Sequence, residues 1–90
     1  MMRKRYTIKG KVQGVWYRAR TKEEADNLQL TGFIRNLAGG EVLAEAQGDA
    51  EDLAWFEDWL KLGPPLARVE NVEEEILDAI EGEESFEIRD

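Results

Sequence analysis

The sequence predicts an α+β domain in which an antiparallel sheet carries two helices on one face. Three observations point to it. Apolar and polar residues alternate at period two near the start of the chain, and strand-like runs recur between residues 33 and 47. Two stretches, beginning at Thr21 and Asp49, combine helix-start chemistry with helical spacing. Ninety residues without a cysteine allow one apolar core and no disulfide framework, so residues 1–90 read as a single domain.

Tyr6, Ile8, Gly10 and Val12 alternate with Thr7, Lys9 and Lys11, giving a half-buried strand that runs to about Val12. A glycine-containing loop follows. Thr21-Lys22-Glu23-Glu24 then reads as a capping box, with the Thr21 hydroxyl serving an orphan amide and Glu24 reaching back to the cap. The helix runs to about Leu30. Its apolar contacts, Ala25, Leu28 and Leu30, are few, so one side rests on the sheet while Asp26, Asn27 and Gln29 face water. Phe33 to Leu37 and Glu41 to Gln47 are strand-like, and Ala38-Gly39-Gly40 between them permits a hairpin. Val42, Ala44 and Ala46 share a face.

Asp49 caps the second helix, with Asp52 three places on, and Leu53, Phe56 and Leu60 recur along one helical face. Trp55 and Trp59, four apart, read as core or helix-surface packing. Gly63-Pro64-Pro65 ends that helix. Val69 to Leu77 fits an exposed edge strand or a short helix, because Glu73-Glu74-Glu75 suits both. Phe86 and Ile88 suggest a short final strand. The order strand, helix, strand, strand, helix, strand, with a small extra strand, is that of the split βαβ or ferredoxin-like arrangement. That arrangement hosts RNA binders, metal chaperones and enzymes, so it does not by itself assign a function.

Composition narrows the function classes. With neither histidine nor cysteine, the usual zinc, copper and haem ligands are missing, and no Asp-x-Asp-x-Asp spacing offers a calcium loop. The expectation is no metal and no cofactor. Met1 to Tyr6 carry charge with no apolar stretch after them, so no leader or membrane span is read there and a cytoplasmic location is expected. The net charge of −8 hides an asymmetry: residues up to Asn36 hold 9 basic and 3 acidic side chains, those beyond it 3 and 17. An acidic chain whose inner strands lack paired aromatics is a poor nucleic-acid binder. The basic half can attract a small anion, although solvated charge serving solubility accounts for it as well.

The segment Lys9 to Arg18 lies between a strand and a helix, where a turn can aim several amides and a helix N-terminus at one point. Such a concavity binds anions, and the Arg18 guanidinium can add a bidentate clamp on phosphate. The same residues also admit an ordinary turn at Gln13-Gly14, with Val15 and Tyr17 in the core and Arg18 in a surface ion pair. Asn36 can orient a water through its amide, or it can satisfy hairpin backbone near Gly39-Gly40. Trp16 is either a lip over a ligand or a partly exposed loop aromatic.

Gly10-Lys11-Val12-Gln13-Gly14-Val15-Trp16-Tyr17-Arg18 resembles the first signature of the acylphosphatase family, with Tyr17 where phenylalanine is usual. Gly32 to Val42, ending at Gly48, is similar to that family's second signature, with Ile34 where a smaller residue is usual. Gly63 to Val69 follows the second helix as it does there. The resemblance covers about residues 6 to 77 and implies an enzyme that hydrolyses acyl phosphates to a carboxylate and inorganic phosphate; a monomer is the expectation for its assembly. It implies catalytic roles for Arg18 and Asn36, and a phosphate-binding loop of Gln13, Gly14, Val15, Trp16, Tyr17 and Arg18. A non-catalytic anion-binding or interaction module on the same fold is the rival reading. Tyr17 adds a hydroxyl that needs a partner if buried.

The chemistry is compatible with a chain that lacks histidine. A carboxylate leaves without being protonated, so no general acid is required, and phosphoryl transfer depends mainly on positioning and charge stabilisation. Neither Arg18 nor Asn36 takes up a proton at neutral pH, which leaves a phosphate oxygen of the substrate as the acceptor.

Overall fold

The computed structural model describes residues Met1–Asp90. Its elements are β1 (Met2–Lys11), α1 (Tyr17–Asn27), β2 (Thr31–Asn36), β3 (Val42–Gly48), α2 (Ala50–Leu62), β4 (Arg68–Leu77) and β5 (Phe86–Arg89). The sheet order is β4-β1-β3-β2-β5. The first four strands pair antiparallel, as the sequence predicts. β5 departs from that expectation by adding to β2 in parallel, with Ile88 beside Ile34 and Arg89 beside Arg35. Alternation at Phe86 and Ile88 signals a strand but not its partner. The partner follows from the connection after Leu77, which crosses from one sheet edge to the other.

One face of the sheet and the two helices enclose the core. Tyr6, Ile8, Val12, Ile34, Val42, Ala44 and Ala46 meet Ala25, Leu53, Phe56, Leu60 and Phe86, all buried. Phe56 stands edge-on to Tyr6 and to Phe86, with ring centroids 5.9 and 6.0 Å apart. Each such large side chain contributes about 1.5–3 kcal/mol by leaving water. On the opposite face Arg3 is only 1% exposed. Its guanidinium donates to Glu45 at 3.0 Å and to Glu83, on the crossing segment, at 2.8 Å. The Gln47 side chain fixes the same segment by bonding both the N–H and the carbonyl of Ile80.

The segment with two readings is a strand. Its acidic run suits the sheet edge because β1 alongside is basic: Lys9 reaches Glu73, Lys4 reaches Glu74 and Arg5 reaches Glu75 at 3.4–3.5 Å. The register slips at Lys9/Gly10, leaving Glu70 as the extra residue of a bulge. Gly10 takes φ 128 there, and a Cβ at that position would run into the Arg68 carbonyl.

One expected helix start and one expected capping bond are corrected. α1 begins at Tyr17, four residues before the expected cap, and Thr21 lies buried inside it. The Thr21 hydroxyl donates back to the Tyr17 carbonyl at 2.7 Å and accepts from the Trp59 indole at 3.3 Å. In apolar surroundings the carbonyl four residues back is the available partner, so the box motif is not used. Asp49 does precede α2, but its side chain makes no capping bond. Glu51 and Asp52 in the first turn and Lys61 in the last suit the helix dipole instead.

Candidate active site

β1 and α1 are joined by five residues whose backbone cannot continue either element. Gly14 (φ 73) and Trp16 (φ 67) both adopt left-handed conformations. Placed ahead of a helix, this geometry turns successive N–H groups toward a common point. The amides of Gly14, Val15, Trp16, Tyr17, Arg18 and Ala19 donate no hydrogen bond within the protein, and the first backbone bond of the new turn is Arg20 N–H to the Trp16 carbonyl. The first amides of any helix lack intrahelical acceptors, and here the loop adds more of the same kind. Six adjacent amides without protein acceptors, at the positive end of a helix, have the chemistry that suits an anion.

The loop is held from both sides. Gln13 donates its side-chain amide to the main-chain carbonyls of Leu37 and Glu41, each at 2.8 Å, and so ties the loop to the β2–β3 hairpin. Val15 and Tyr17 are buried. The Tyr17 hydroxyl finds the partner it needs in the Leu60 carbonyl at 2.7 Å. Burial pushes its ionisation well above the ordinary tyrosine range, so it stays neutral. Arg18 is half-buried, and its Nη1 donates to the main-chain carbonyl of Arg89 at 3.2 Å, at the end of β5.

A cleft of about 380 Å³ opens at this point, lined by Val12, Gly14, Trp16, Tyr17, Arg18, Ala19, Asn36 and Ile88. The sequence-predicted residues Gly14, Trp16, Tyr17, Arg18 and Asn36 therefore come together. The side chains of Gln13 and Val15 do not line the cleft: one is spent on the hairpin and the other on the core. Asn36 ends β2, and its Oδ1 is buried with no hydrogen-bond partner. The hairpin work open to Asn36 on sequence grounds is done by Gln13. Trp16 lines the cleft and is 73% exposed, so it stands at the rim. Sequence reasoning missed Val12, Ala19 and Ile88. Ala19 was findable as the next orphan amide of the helix, whereas Ile88 reaches the cleft only through the parallel pairing of β5. No cluster of three or more His, Cys, Asp or Glu side chains is positioned to hold a metal ion. No helix is long and apolar enough to cross a membrane.

Known proteins share both the sequence pattern and the geometry. The chain is 46% identical over 85 residues to an acylphosphatase from Nitrosococcus oceani, covering 94% of each protein. A crystal structure of acylphosphatase from Bacillus subtilis superimposes with a TM-score of 0.95 at 31% identity, over 99% of both chains. The structure of an acylphosphatase from Coxiella burnetii gives a TM-score of 0.91 at 38% identity, over 98% of this chain and 92% of that one. With the family model for acylphosphatase matching residues 4–88, a stretch that holds the loop, Asn36 and Ile88, the chain belongs to the acylphosphatase family.

Proposed function

We propose that this protein hydrolyses acyl phosphates, with the six free amides and Arg18 holding the phosphoryl group and Asn36 placing the attacking water. The observation that carries the reading is the row of unpaired N–H groups from Gly14 to Ala19 beside the one charged side chain lining the cleft. A tetrahedral dianion supplies the acceptors that these donors lack. The Asn36 Oδ1, buried and unpartnered, accepts a hydrogen bond from the water and fixes its lone pair in line with the leaving oxygen. Water attacks phosphorus, the bond from phosphorus to the carboxyl oxygen breaks, and that electron pair leaves on the carboxylate. One water proton passes to a phosphoryl oxygen. An acyl phosphate dianion and water thus become a carboxylate and dihydrogen phosphate, with charge conserved and no protein group protonated.

Preorganised donors aimed at the transferring group are worth about 10²–10³ in rate each and require neither an acid nor a metal. Residues 1–90 act as one domain in this reading, monomeric and cytoplasmic. Phosphate release from acetyl phosphate and benzoyl phosphate, assayed with a chelator present, tests it. Turnover far above the spontaneous rate is expected. Phosphate binding without turnover would establish the non-catalytic anion-binding module instead.

A further inference from the structure

Holding the phosphoryl group occupies only the polar part of the cleft. Its volume of about 380 Å³ lies within the roughly 300–1,000 Å³ typical of sites that enclose a whole small molecule. Apart from Gly14, Arg18 and Asn36, the lining is Val12, Trp16, Tyr17, Ala19 and Ile88. Trp16 and Ile88 are 73% and 43% exposed, large apolar side chains left in water at the mouth. No carboxylate and no cation besides Arg18 lines the cleft, and two cations near it are engaged elsewhere. Lys22 donates to the Phe86 carbonyl and to Asp26. The Arg89 guanidinium lies 4.2 Å over the Phe33 ring and pairs with Glu87. An acyl group carrying a second charge would be desolvated there without a partner.

We infer that Ile88 and Trp16 form an apolar acyl subsite, with Ile88 as the specificity-determining residue that favours aromatic and aliphatic acyl phosphates over those bearing another charge. This rests on the hydrolytic reading above. The placement follows from pairing: Ile88 lies beside Ile34, whose side chain is buried on the helix-covered face. Two residues before it, Phe86 fills the core, and Ile88 on the same face emerges into the cleft. The strand that supplies the acyl wall also supplies, at Arg89, the carbonyl that anchors Arg18.

The test compares kcat/KM for benzoyl, acetyl and succinyl phosphate, which share a carboxylate leaving group and differ in apolar area and charge. The parent enzyme is expected to favour benzoyl over acetyl phosphate about tenfold and to disfavour succinyl phosphate, on the scale of a few apolar groups in an open pocket. Ile88→Ala should lower the benzoyl-to-acetyl ratio severalfold, and Ile88→Lys should raise the succinyl-to-acetyl ratio. Inhibition by inorganic phosphate, which lacks an acyl group, should be the same in all three proteins. Equal parent ratios, or an Ile88→Ala variant that slows every substrate alike, would overturn the subsite while leaving hydrolysis intact. Failure of the parent to turn over any of the three would overturn the hydrolytic reading and the subsite with it. The parent comparison needs no folded variant.

Discussion

Arg18→Ala removes the one charged side chain lining the cleft while leaving the loop intact, because nothing in the core rests on it. One guanidinium N–H is engaged by the Arg89 carbonyl at 3.2 Å, and the rest of the fork is free for a phosphoryl group. Two charge-assisted hydrogen bonds of about 1.5–3 kcal/mol each are then at stake. The lower bound, about 3 kcal/mol, corresponds to roughly two powers of ten. The six amides remain, so the variant should retain measurable turnover about 100-fold or more below the parent in kcat/KM. Inorganic phosphate, measured as a competitive inhibitor, should weaken in parallel, since in the proposed mechanism the same fork grips product and substrate. Arg18→Lys, which keeps charge and loses the planar fork, should fall between the two. Phosphate release from benzoyl phosphate at saturating and limiting substrate supplies both constants. An Arg18→Ala enzyme within about threefold of the parent in kcat/KM and in phosphate inhibition would refute the cradle.

Asn36→Ala should lower kcat on the order of 100-fold with KM little changed, since in the proposed mechanism the residue touches water rather than phosphate. Its Oδ1 has no partner to lose, so the melting temperature should hold or rise slightly; a large fall in stability would mark Asn36 as structural. Gln13→Ala removes two hydrogen bonds to the hairpin and should cost about 1–2 kcal/mol, several degrees in a thermal melt. Its activity loss should be partly recovered on cooling if loop order is what Gln13 supplies. Tyr6 and Tyr17 both ionise far more reluctantly when folded, through burial and, for Tyr6, its bond to Glu57. Because the folded state holds these protons more tightly, stability should be full below the unfolded value of 10.0 and fall as pH climbs above it. The slope for each tyrosine approaches about 1.4 kcal/mol per pH unit. Urea melts at pH 9 and 11 on the parent and on Tyr17→Phe check this, and an unchanged pH slope in the variant would remove Tyr17 from the account.

The fold was legible where one local rule decides the outcome. Period-two alternation located β1 and the hairpin, and Gly63-Pro64 marked the end of α2. The rest depends on partners far away in sequence. Glu73-Glu74-Glu75 lies along basic β1, where Arg5 stands opposite Glu75 while Lys9 and Lys4 reach diagonally to Glu73 and Glu74, information carried by register and not by the run itself. Thr21 looks like a cap in isolation, yet Trp59 and the core enclose it in the helix interior. In the site, Gln13 and Asn36 present the same amide group, and sequence placed Gln13 in the loop while leaving Asn36 open between a water and the hairpin backbone. Tertiary geometry separates them: one bonds two carbonyls of the hairpin, the other is left with an unpartnered oxygen at the cleft.

That separation accounts for how a small domain keeps a site of unsatisfied groups. A left-handed tryptophan and a buried amide oxygen without a donor each cost about 1–3 kcal/mol in the ligand-free protein, and the row of amides beside them has no acceptor within the protein. Left alone, a loop with those deficits would rearrange to pair its own groups. It is prevented by neighbours whose interactions are complete. Gln13 is fully engaged with the hairpin, Tyr17 is anchored by ring burial and by its bond to Leu60, and Val15 is packed in the core. Over residues 13–18 the anchored side chains, Gln13, Val15 and Tyr17, alternate with Gly14, Trp16 and Arg18 at the cleft, so no amide can turn inward without lifting a packed side chain out. Phosphoryl transfer needs donors that do not reorganise as charge moves. Here that rigidity comes from using every second residue of the loop as a fastener, which is why the site tolerates having neither histidine nor cysteine.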